Sequence, residues 1–171
     1  MEQLSPTAYV ILGMLAWGPR SGYDVKAAVD YSVRFFWAAS YGQIYPELRR
    51  LSDAGLVEGR PEPQSGRRRT VYRLTAAGRR ALREWLAQAP ETFETRDEGL
   101  LKLFFADASP ETAAASLDAK RAYHEAKLTQ LRAIEATGKP AGHVAVVLRY
   151  GIESSEWMVD WCAREAERLR R

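Results

Sequence analysis

Three consecutive arginines, Arg67, Arg68 and Arg69, stand between Gly66 and Thr70 in this chain of 171 residues. Neighbouring guanidinium groups repel one another and are costly to bury, and the phosphates of a nucleic acid would relieve that repulsion. Each phosphate that they neutralise also releases condensed counterions, which favours binding. A solvated loop is the alternative, because most charge runs are simply exposed to water. The cluster therefore indicates a nucleic-acid-binding surface, and a solvated loop stays open as the alternative.

The charge distribution along the chain favours a polyanionic partner for the first half only. Residues 1–85 contain 13 Lys or Arg and 8 Asp or Glu, whereas residues 86–171 contain 12 and 14. A basic half beside a slightly acidic half is typical of a protein that meets nucleic acid through one region. A mixed, solvated surface would give the same asymmetry.

The arginines are predicted to lie on a β-hairpin. Leu56–Arg60 and Thr70–Leu74 have the composition of short strands, and the turn-rich stretch PEPQSGRRR separates them. Strand, loop and strand in this order indicate a wing over residues 58–74 with the arginines at its tip. Such a tip would lie along the DNA backbone or enter the minor groove.

A helix over about residues 40–54 precedes the hairpin, and its buried stripe is formed by Ile44, Leu48 and Leu51 at i, i+4 and i+7. The residues that then point outward, or flank the outward face, are Gly42, Gln43, Tyr45, Pro46, Arg49, Arg50 and Asp53. This face suits a recognition helix in the major groove, where Gln43 would contact adenine or a phosphate and Arg49 guanine or the backbone. An ordinary polar surface helix is the alternative.

Pro46 conflicts with a regular helix that begins at Ser40, because a proline this deep removes a backbone hydrogen bond. Either the first turn is irregular or the regular helix begins nearer Tyr45.

The remaining elements predict a mainly α fold with a small β-hairpin. Capping residues and prolines predict helices over residues 6–17, from Ser21 towards Val33 or Phe36, and from Thr75 to a point before Pro90. Later helices are expected over about 97–106, from Ser109-Pro110 to near Gly138, and from about Gly142 to Arg170. We therefore expect a winged helix-turn-helix in residues 1–90 and a C-terminal helical dimerisation region in residues 91–171.

The last helix carries two apolar stripes, so it needs cover from two sides. The stripes are Val144, Leu148, Gly151, Ser155, Met158 and Cys162, and Val147, Tyr150, Ser154, Trp157 and Trp161. Its own domain would cover one stripe and a second subunit the other, although a purely intramolecular core is the alternative. Paired Trp residues at such a seam would form interface core or line a pocket for a planar effector. The candidate interface or pocket residues are Leu148, Tyr150, Trp157, Met158 and Trp161.

Several classes of protein find no support. No apolar run reaches the roughly 18 residues of a membrane span, and the N-terminus lacks the features of a signal peptide. Cys162 is the single cysteine, so no internal disulfide forms. His124 and His143 stand apart from any metal-ligand spacing, and no glycine-rich phosphate loop is present. We expect a cytoplasmic protein without enzymatic activity, cofactor or metal.

The sequence resembles the PadR family of bacterial transcriptional regulators. The resemblance covers about residues 5–85 and rests on five segments: ILGML with GP, SGYD, S-x-GQIYPELRRL, AGLV and GRRRTVYRLTAAG. LLKLFF and the long helices after it, which begin near Leu100, resemble the C-terminal region of the longer members. The separation between the Tyr-Pro of the third helix and the Tyr-Arg-Leu-Thr of the wing makes the resemblance fairly specific.

The resemblance implies a homodimer on a palindromic DNA operator, usually a repressor that a small effector relieves. It places DNA contacts on the third helix and the wing, at Ser40, Gln43, Tyr45, Arg49, Arg67, Arg68, Arg69 and Thr70. The competing hypothesis is a winged-helix protein-interaction module that does not bind DNA, although such a module would not need the arginine run. MarR-like and ArsR-like regulators fit less well, because they do not combine this Tyr-Pro helix with a two-helix tail.

Overall fold

The computed structural model describes residues 4–64, 67–90 and 97–171, with the backbone alone at Pro63, Gln64, Arg67, Arg68 and Pro110. The chain forms two compact units, residues 1–92 and 93–171. Helices dominate both of them, and a small antiparallel sheet belongs to the first. The predicted fold class, mainly α with a small β-hairpin, is therefore confirmed.

The first unit is a winged helix-turn-helix. Its elements are α1 (Pro6–Ala16), β1 (Arg20–Ser21), α2 (Gly22–Tyr31), α3 (Tyr41–Asp53), β2 (Val57–Gln64), β3 (Arg67–Leu74) and α4 (Ala76–Leu86), with a 3-10 turn over Val33–Phe35. The sheet has the order β1-β3-β2 and is antiparallel throughout. β1 was not predicted, because a strand of two residues is too short to show a pattern.

Local capping fixes where α1 and α2 begin. The Ser5 hydroxyl accepts a hydrogen bond from the Ala8 amide, and Pro6 occupies the first helical position. At α2, Ser21 and Asp24 form the predicted capping box, each side chain accepting from the other's backbone amide. These bonds satisfy amides that have no partner within the helix, so both predicted N-termini are confirmed.

The end of α2 differs from the prediction. The helix stops at Tyr31 rather than running towards Val33 or Phe36, and the chain continues into the 3-10 turn. The Ser32 hydroxyl donates to the Ala28 carbonyl oxygen over 2.6 Å. A serine that bonds to the backbone in this way competes with helix propagation, which accounts for the earlier end.

The core of this unit lies between α1, α2 and α3. Ile44 and Leu48 are fully buried and Leu51 nearly so, as the helical spacing predicted. They pack in one cluster with Ile11 and Leu12 of α1, together with the buried valines of α2. This packing positions the opposite face of α3 at the surface.

The wing strands are longer than predicted. β2 runs to Gln64 and β3 begins at Arg67, so the arginines belong to a strand rather than to a loop at the tip. In the register, Pro63 pairs with Arg68 and Glu62 with Arg69. Pro61 and Pro63 made this stretch look like a turn. They are tolerated because β2 is an edge strand, where a backbone donor is not needed at every position.

Pro46 lies inside α3, which begins at Tyr41 and runs unbroken to Asp53. Of the two alternatives, a regular helix that begins only near Tyr45 is therefore wrong. Pro46 is exposed and lies in the second turn, so its ring projects away from the core. Burial of the apolar stripe offsets the cost of the missing backbone donor.

The second unit is a helical hairpin with a short preceding helix. It contains α5 (Glu98–Phe104), α6 (Ala113–Ala136) and α7 (Gly142–Leu169), with 3-10 turns over Ala106–Ala108 and Pro110–Thr112. α6 thus begins at Ala113, later than the predicted start at Ser109-Pro110. α6 and α7 lie antiparallel, since Gly151 faces Leu131 near their connection and Cys162 packs with Leu117 further along. Across the described residues, no helix is both long and apolar enough to span a membrane.

Candidate nucleic-acid interface

The outward face of α3 is exposed where the sequence placed it. Gly42, Pro46, Arg49 and Asp53 are all exposed, and so are Gln43, Tyr45 and Arg50, which flank them. At the centre of this face, the compact residues Gly42 and Pro46 lie in the first two turns, and Arg49 follows them. A helix with this face can approach a duplex closely and place a guanidinium group at base edges or phosphates.

Ser40 and Gln43 hold the N-terminus of α3. Gln43 Oε1 accepts from the Ser40 amide over 2.9 Å and from Ser40 Oγ over 3.2 Å. A bidentate contact with adenine needs that same oxygen as an acceptor for the adenine amino group. Gln43 must therefore leave the cap to read adenine, whereas a hydrogen bond from Nε2 to a phosphate leaves the cap intact.

Glu47 is a buried carboxylate within α3 that sequence reasoning missed. Its Oε1 accepts from the Ser5 hydroxyl over 2.9 Å, and its Oε2 accepts from Arg50 Nη1 over 3.2 Å. The residue is only 8% exposed. Because Ser5 also caps α1, Glu47 connects the start of α1 to α3 and orients Arg50 on α3. The separation of 42 residues between Ser5 and Glu47 left no local signal for this contact.

Tyr45 belongs to a row of three exposed tyrosines. Its ring centroid lies 6.2 Å from that of Tyr41, which lies 6.5 Å from that of Tyr23 on α2, and both ring pairs are stacked. Lys26 Nζ stands 5.3 Å from the Tyr41 centroid, a cation–π geometry. The row places three phenol groups beside the outward face of α3. Tyr23 and Tyr41 were not predicted as site residues.

Thr70 and Arg69 are the wing residues of the predicted site whose side chains the structure describes. Thr70 is exposed, whereas Arg69 is half-buried and donates from Nη2 to Asp24 Oδ2 over 2.5 Å. Partial burial alone would raise the pKa of Asp24, but hydrogen bonds from Ser21 and the charges of Arg69 and Arg20 hold that pKa below its ordinary value. The backbones of Arg67 and Arg68 lie on β3, and their side chains fall outside the described part.

The predicted interface residues of α7 divide between two environments. Tyr150 and Trp157 are 70% and 57% exposed, respectively. Leu148, Met158 and Trp161 are half-buried, and the last two pack against a buried cluster that contains Cys162. Trp157 stacks on Trp161 with centroids 6.0 Å apart. The helix thus presents one apolar stripe to α6 and leaves much of the other exposed.

An apolar groove of about 430 Å³ lies in the first unit, between α1, α4 and the segment 33–37. Tyr9 and Trp85 stack within it at a centroid distance of 4.5 Å. Its lining consists of uncharged residues, namely Pro6, Tyr9, Val10, Gly13, Met14, Ala16, Trp17, Val33, Phe36, Trp37, Leu82, Trp85 and Leu86. Sequence reasoning missed this groove, because its aromatic residues come from three separate segments.

Comparison with known families matches both units. Residues 11–84 match the Transcriptional regulator PadR-like family, and residues 95–170 match the Virulence activator alpha C-term family. The Negative transcriptional regulator PadR of Bacillus subtilis is 38% identical over 99 residues, which are 57% of this chain and 54% of that protein. The match therefore spans about half the length of that relative.

Two solved structures are similar over nearly the whole chain. Bacillus subtilis PadR in complex with operator DNA has a TM-score of 0.85 and 29% identity, and the match covers 95% of this chain and 98% of that one. Bacillus subtilis PadR in complex with p-coumaric acid has a TM-score of 0.76 and 28% identity, with 98% of each chain covered.

Proposed function

We propose that this chain is a PadR-like, sequence-specific DNA-binding repressor, because residues 11–84 match the Transcriptional regulator PadR-like family. One observation carries the proposal: the exposed face of α3 and the arginine-bearing strand β3 belong to the same winged helix-turn-helix unit. The Bacillus subtilis relatives, a negative regulator and a protein solved on operator DNA, support it. α3 would occupy the major groove, and the wing would follow the backbone or the minor groove.

We further propose that the chain acts as a homodimer on a palindromic operator. The exposed side chains of Tyr150 and Trp157 on α7 support a second copy as the cover, because large aromatic side chains favour burial. Two copies related by a twofold axis would place two recognition helices on successive half-sites. We assign the protein no catalytic activity and expect it to act in the bacterial cytoplasm, where the chromosome lies.

A small aromatic effector completes the proposal. The Bacillus subtilis complex with p-coumaric acid supports this class of ligand. Stacked aromatic side chains in a groove of about 430 Å³ are suited to a planar ring. The Trp157–Trp161 face of α7, the site expected from the sequence, is the second candidate surface for the same ligand.

Selection of bound duplexes from a random pool tests DNA recognition. We expect a palindrome whose half-sites lie about 10–10.5 base pairs apart or a multiple of that spacing. Retention of no duplex even in dilute buffer, with and without aromatic acids, would reject DNA binding and favour the protein-interaction module.

The effector site is tested with Gly13→Leu, because a Cβ atom at Gly13 would meet nothing within 4 Å while the residue lines the groove. We expect this variant to bind the selected operator but to lose its release by p-coumaric acid. If Trp157→Leu loses that release and Gly13→Leu keeps it, the ligand belongs to α7 instead.

A further inference from the structure

The carboxylate of Asp24 joins the wing to the start of α2. Its Oδ2 atom accepts from the Ser21 amide over 3.0 Å, from Ser21 Oγ over 2.9 Å and from Arg69 Nη2 over 2.5 Å. The first of these bonds belongs to the capping box of α2, in which the Asp24 amide also donates to Ser21 Oγ. The second joins the two side chains, and the third comes from a residue 45 positions later. One carboxylate oxygen therefore accepts hydrogen bonds both from the start of α2 and from the wing strand β3.

The Asp24–Arg69 contact lies where it can restrain the wing. Backbone pairing between β1 and β3 ends at Ser21 opposite Val71, and Arg69 precedes Val71 by two residues, on the side of the wing tip. Residues two apart on a strand share a face, so Arg69 and the buried Val71 lie on the same face of β3. The contact of Arg69 with Asp24 places this face towards α2. The ion pair thus continues the attachment of β3 beyond the last backbone pair, towards the tip of the wing.

The charge of Arg69 is balanced within the protein. Its side chain is 36% exposed and that of Asp24 30%, so the pair is partly shielded from solvent. Glu62 stands opposite Arg69 across the β2–β3 ladder and adds a second carboxylate nearby. A phosphate that recruited the Nη2 donor of Arg69 would have to compete with Asp24 for it, whereas the exposed Thr70 next to Arg69 would meet no such competition.

We propose that Asp24 is the positioning residue of the wing and that Arg69 holds the wing to it rather than contacting a phosphate. We call the Asp24–Arg69 ion pair the clasp. Asp24 sets the angle at which β2 and β3 project beside α3, and phosphates are contacted by the part of the wing beyond the clasp. This inference rests on the proposed DNA binding, and it reassigns one of the predicted DNA contacts.

The clasp predicts a result opposite in sign to simple charge repulsion. Asp24→Asn removes a negative charge from the DNA-binding unit, so repulsion alone would make binding tighter. Loss of the clasp instead weakens binding, because the wing no longer holds its angle. Asn retains a side-chain oxygen for the Ser21 amide, so α2 keeps its cap.

The experiment measures binding of the full chain to a labelled random-sequence 30-base-pair duplex over a series of KCl concentrations. We expect Asp24→Asn to weaken binding by about two- to tenfold, the lower part of the range for residues coupled by direct contact. The salt slope should flatten by about 0.9 for each phosphate contact that the wing loses. Arg69→Gln should cost less binding in the Asp24→Asn background than in the wild type, because the two residues act through one contact. Asp30→Asn is the matched control, because it removes the same charge from the same helix at a carboxylate paired with Lys26.

Amide hydrogen exchange of the unbound protein gives a second readout. We expect Asp24→Asn, but not Asp30→Asn, to speed exchange at the amides of β3 from Arg69 to Val71. Unchanged exchange together with equal or tighter duplex binding in Asp24→Asn would overturn the clasp and leave the proposed function standing. If the wild-type protein binds no duplex, the proposed function fails. The exchange result then tests by itself whether the Asp24–Arg69 pair holds the wing.

Discussion

The ring of Tyr45 lies so close to Gly22 that a Cβ atom on Gly22 would stand 2.6 Å from Tyr45 Cε1. Gly22 is the first residue of α2, and Tyr45 lies in the second turn of α3. Because Gly22 has no side chain, the Tyr45 ring packs directly on its backbone, and we call this packing site the seat. This seat explains how a residue at the edge of the outward face of α3 holds a defined orientation.

Gly22→Ala is expected to displace the Tyr45 ring and weaken operator binding while the protein stays folded. The ring is the far end of a flexible side chain, so it can move, and alanine suits a helix by up to about 1 kcal/mol over glycine. Operator affinity and thermal unfolding measure the two effects. Gly13→Ala is the control, since its Cβ atom meets nothing within 4 Å. Equal operator affinity for both variants would contradict a role for the seat.

Arg67→Ala and Arg68→Ala are each expected to weaken binding on every duplex sequence. If each arginine neutralises one phosphate, each substitution flattens the dependence of log affinity on log salt by about 0.9. Arg168→Ala removes the same charge from the second unit, at an arginine paired with Glu165, and should leave the slope nearly unchanged. A slope that the wing substitutions do not alter would remove the wing from the interface.

Gln43→Glu is expected to preserve the capping of α3 and to weaken binding on all sequences alike. A glutamate carboxylate accepts from the Ser40 amide as Gln43 Oε1 does, but it cannot donate to a phosphate and it adds a negative charge. Affinities on a panel of operator variants measure this effect. Arg49→Ala should instead relax the preference at one base pair, by about 1–3 kcal/mol for a bidentate guanine contact. A base-specific loss in Gln43→Glu would show that Gln43 leaves its cap to read adenine.

Trp157→Glu is expected to convert dimers into folded monomers, because Trp157 is 57% exposed within its own chain. Sedimentation velocity measures the oligomeric state, and circular dichroism measures the fold. Val146→Glu is the matched control: Val146 is 56% exposed on the same helix but lies outside the two predicted stripes. Trp161→Glu should unfold the second unit instead, since Trp161 packs against the buried cluster around Cys162. A Trp157→Glu protein that remains dimeric would exclude this part of α7 from the interface.

The stability of the protein is expected to fall as the pH drops below about 6.5, through His124. Burial lowers the pKa of His124, and the charges of Lys120 and Lys127 lower it further, while Asp97 opposes them. The unfolded chain therefore binds a proton at pH values where the native histidine does not, so acid favours unfolding. Urea unfolding at pH 7.5 and 5.5 should show a smaller pH effect in His124→Gln than in the wild type. His143→Gln, at an exposed histidine, is the control, and the same pH effect in all three proteins would refute the assignment.

Most of the local structure follows from the sequence because its causes act over a few residues. Ser5 and Ser21 satisfy amides three residues away, so the starts of α1 and α2 are readable from the chain alone. The stripe of Ile44, Leu48 and Leu51 follows from helical periodicity and determines which face of α3 is exposed. Residue types and order therefore suffice for the winged helix-turn-helix and for its candidate DNA-binding face.

Only the tertiary structure decides which of those residues are held by others. Gly22 under Tyr45, Arg69 on Asp24 and Ser5 on Glu47 join residues that are 23, 45 and 42 positions apart. No pattern of spacing encodes these contacts, because they arise when the packing of the core brings separate elements together. The groove between α1, α4 and the segment 33–37 has the same origin. The amino-acid sequence thus determines which groups α3 and the wing present for DNA binding. Long-range packing determines how those groups are oriented.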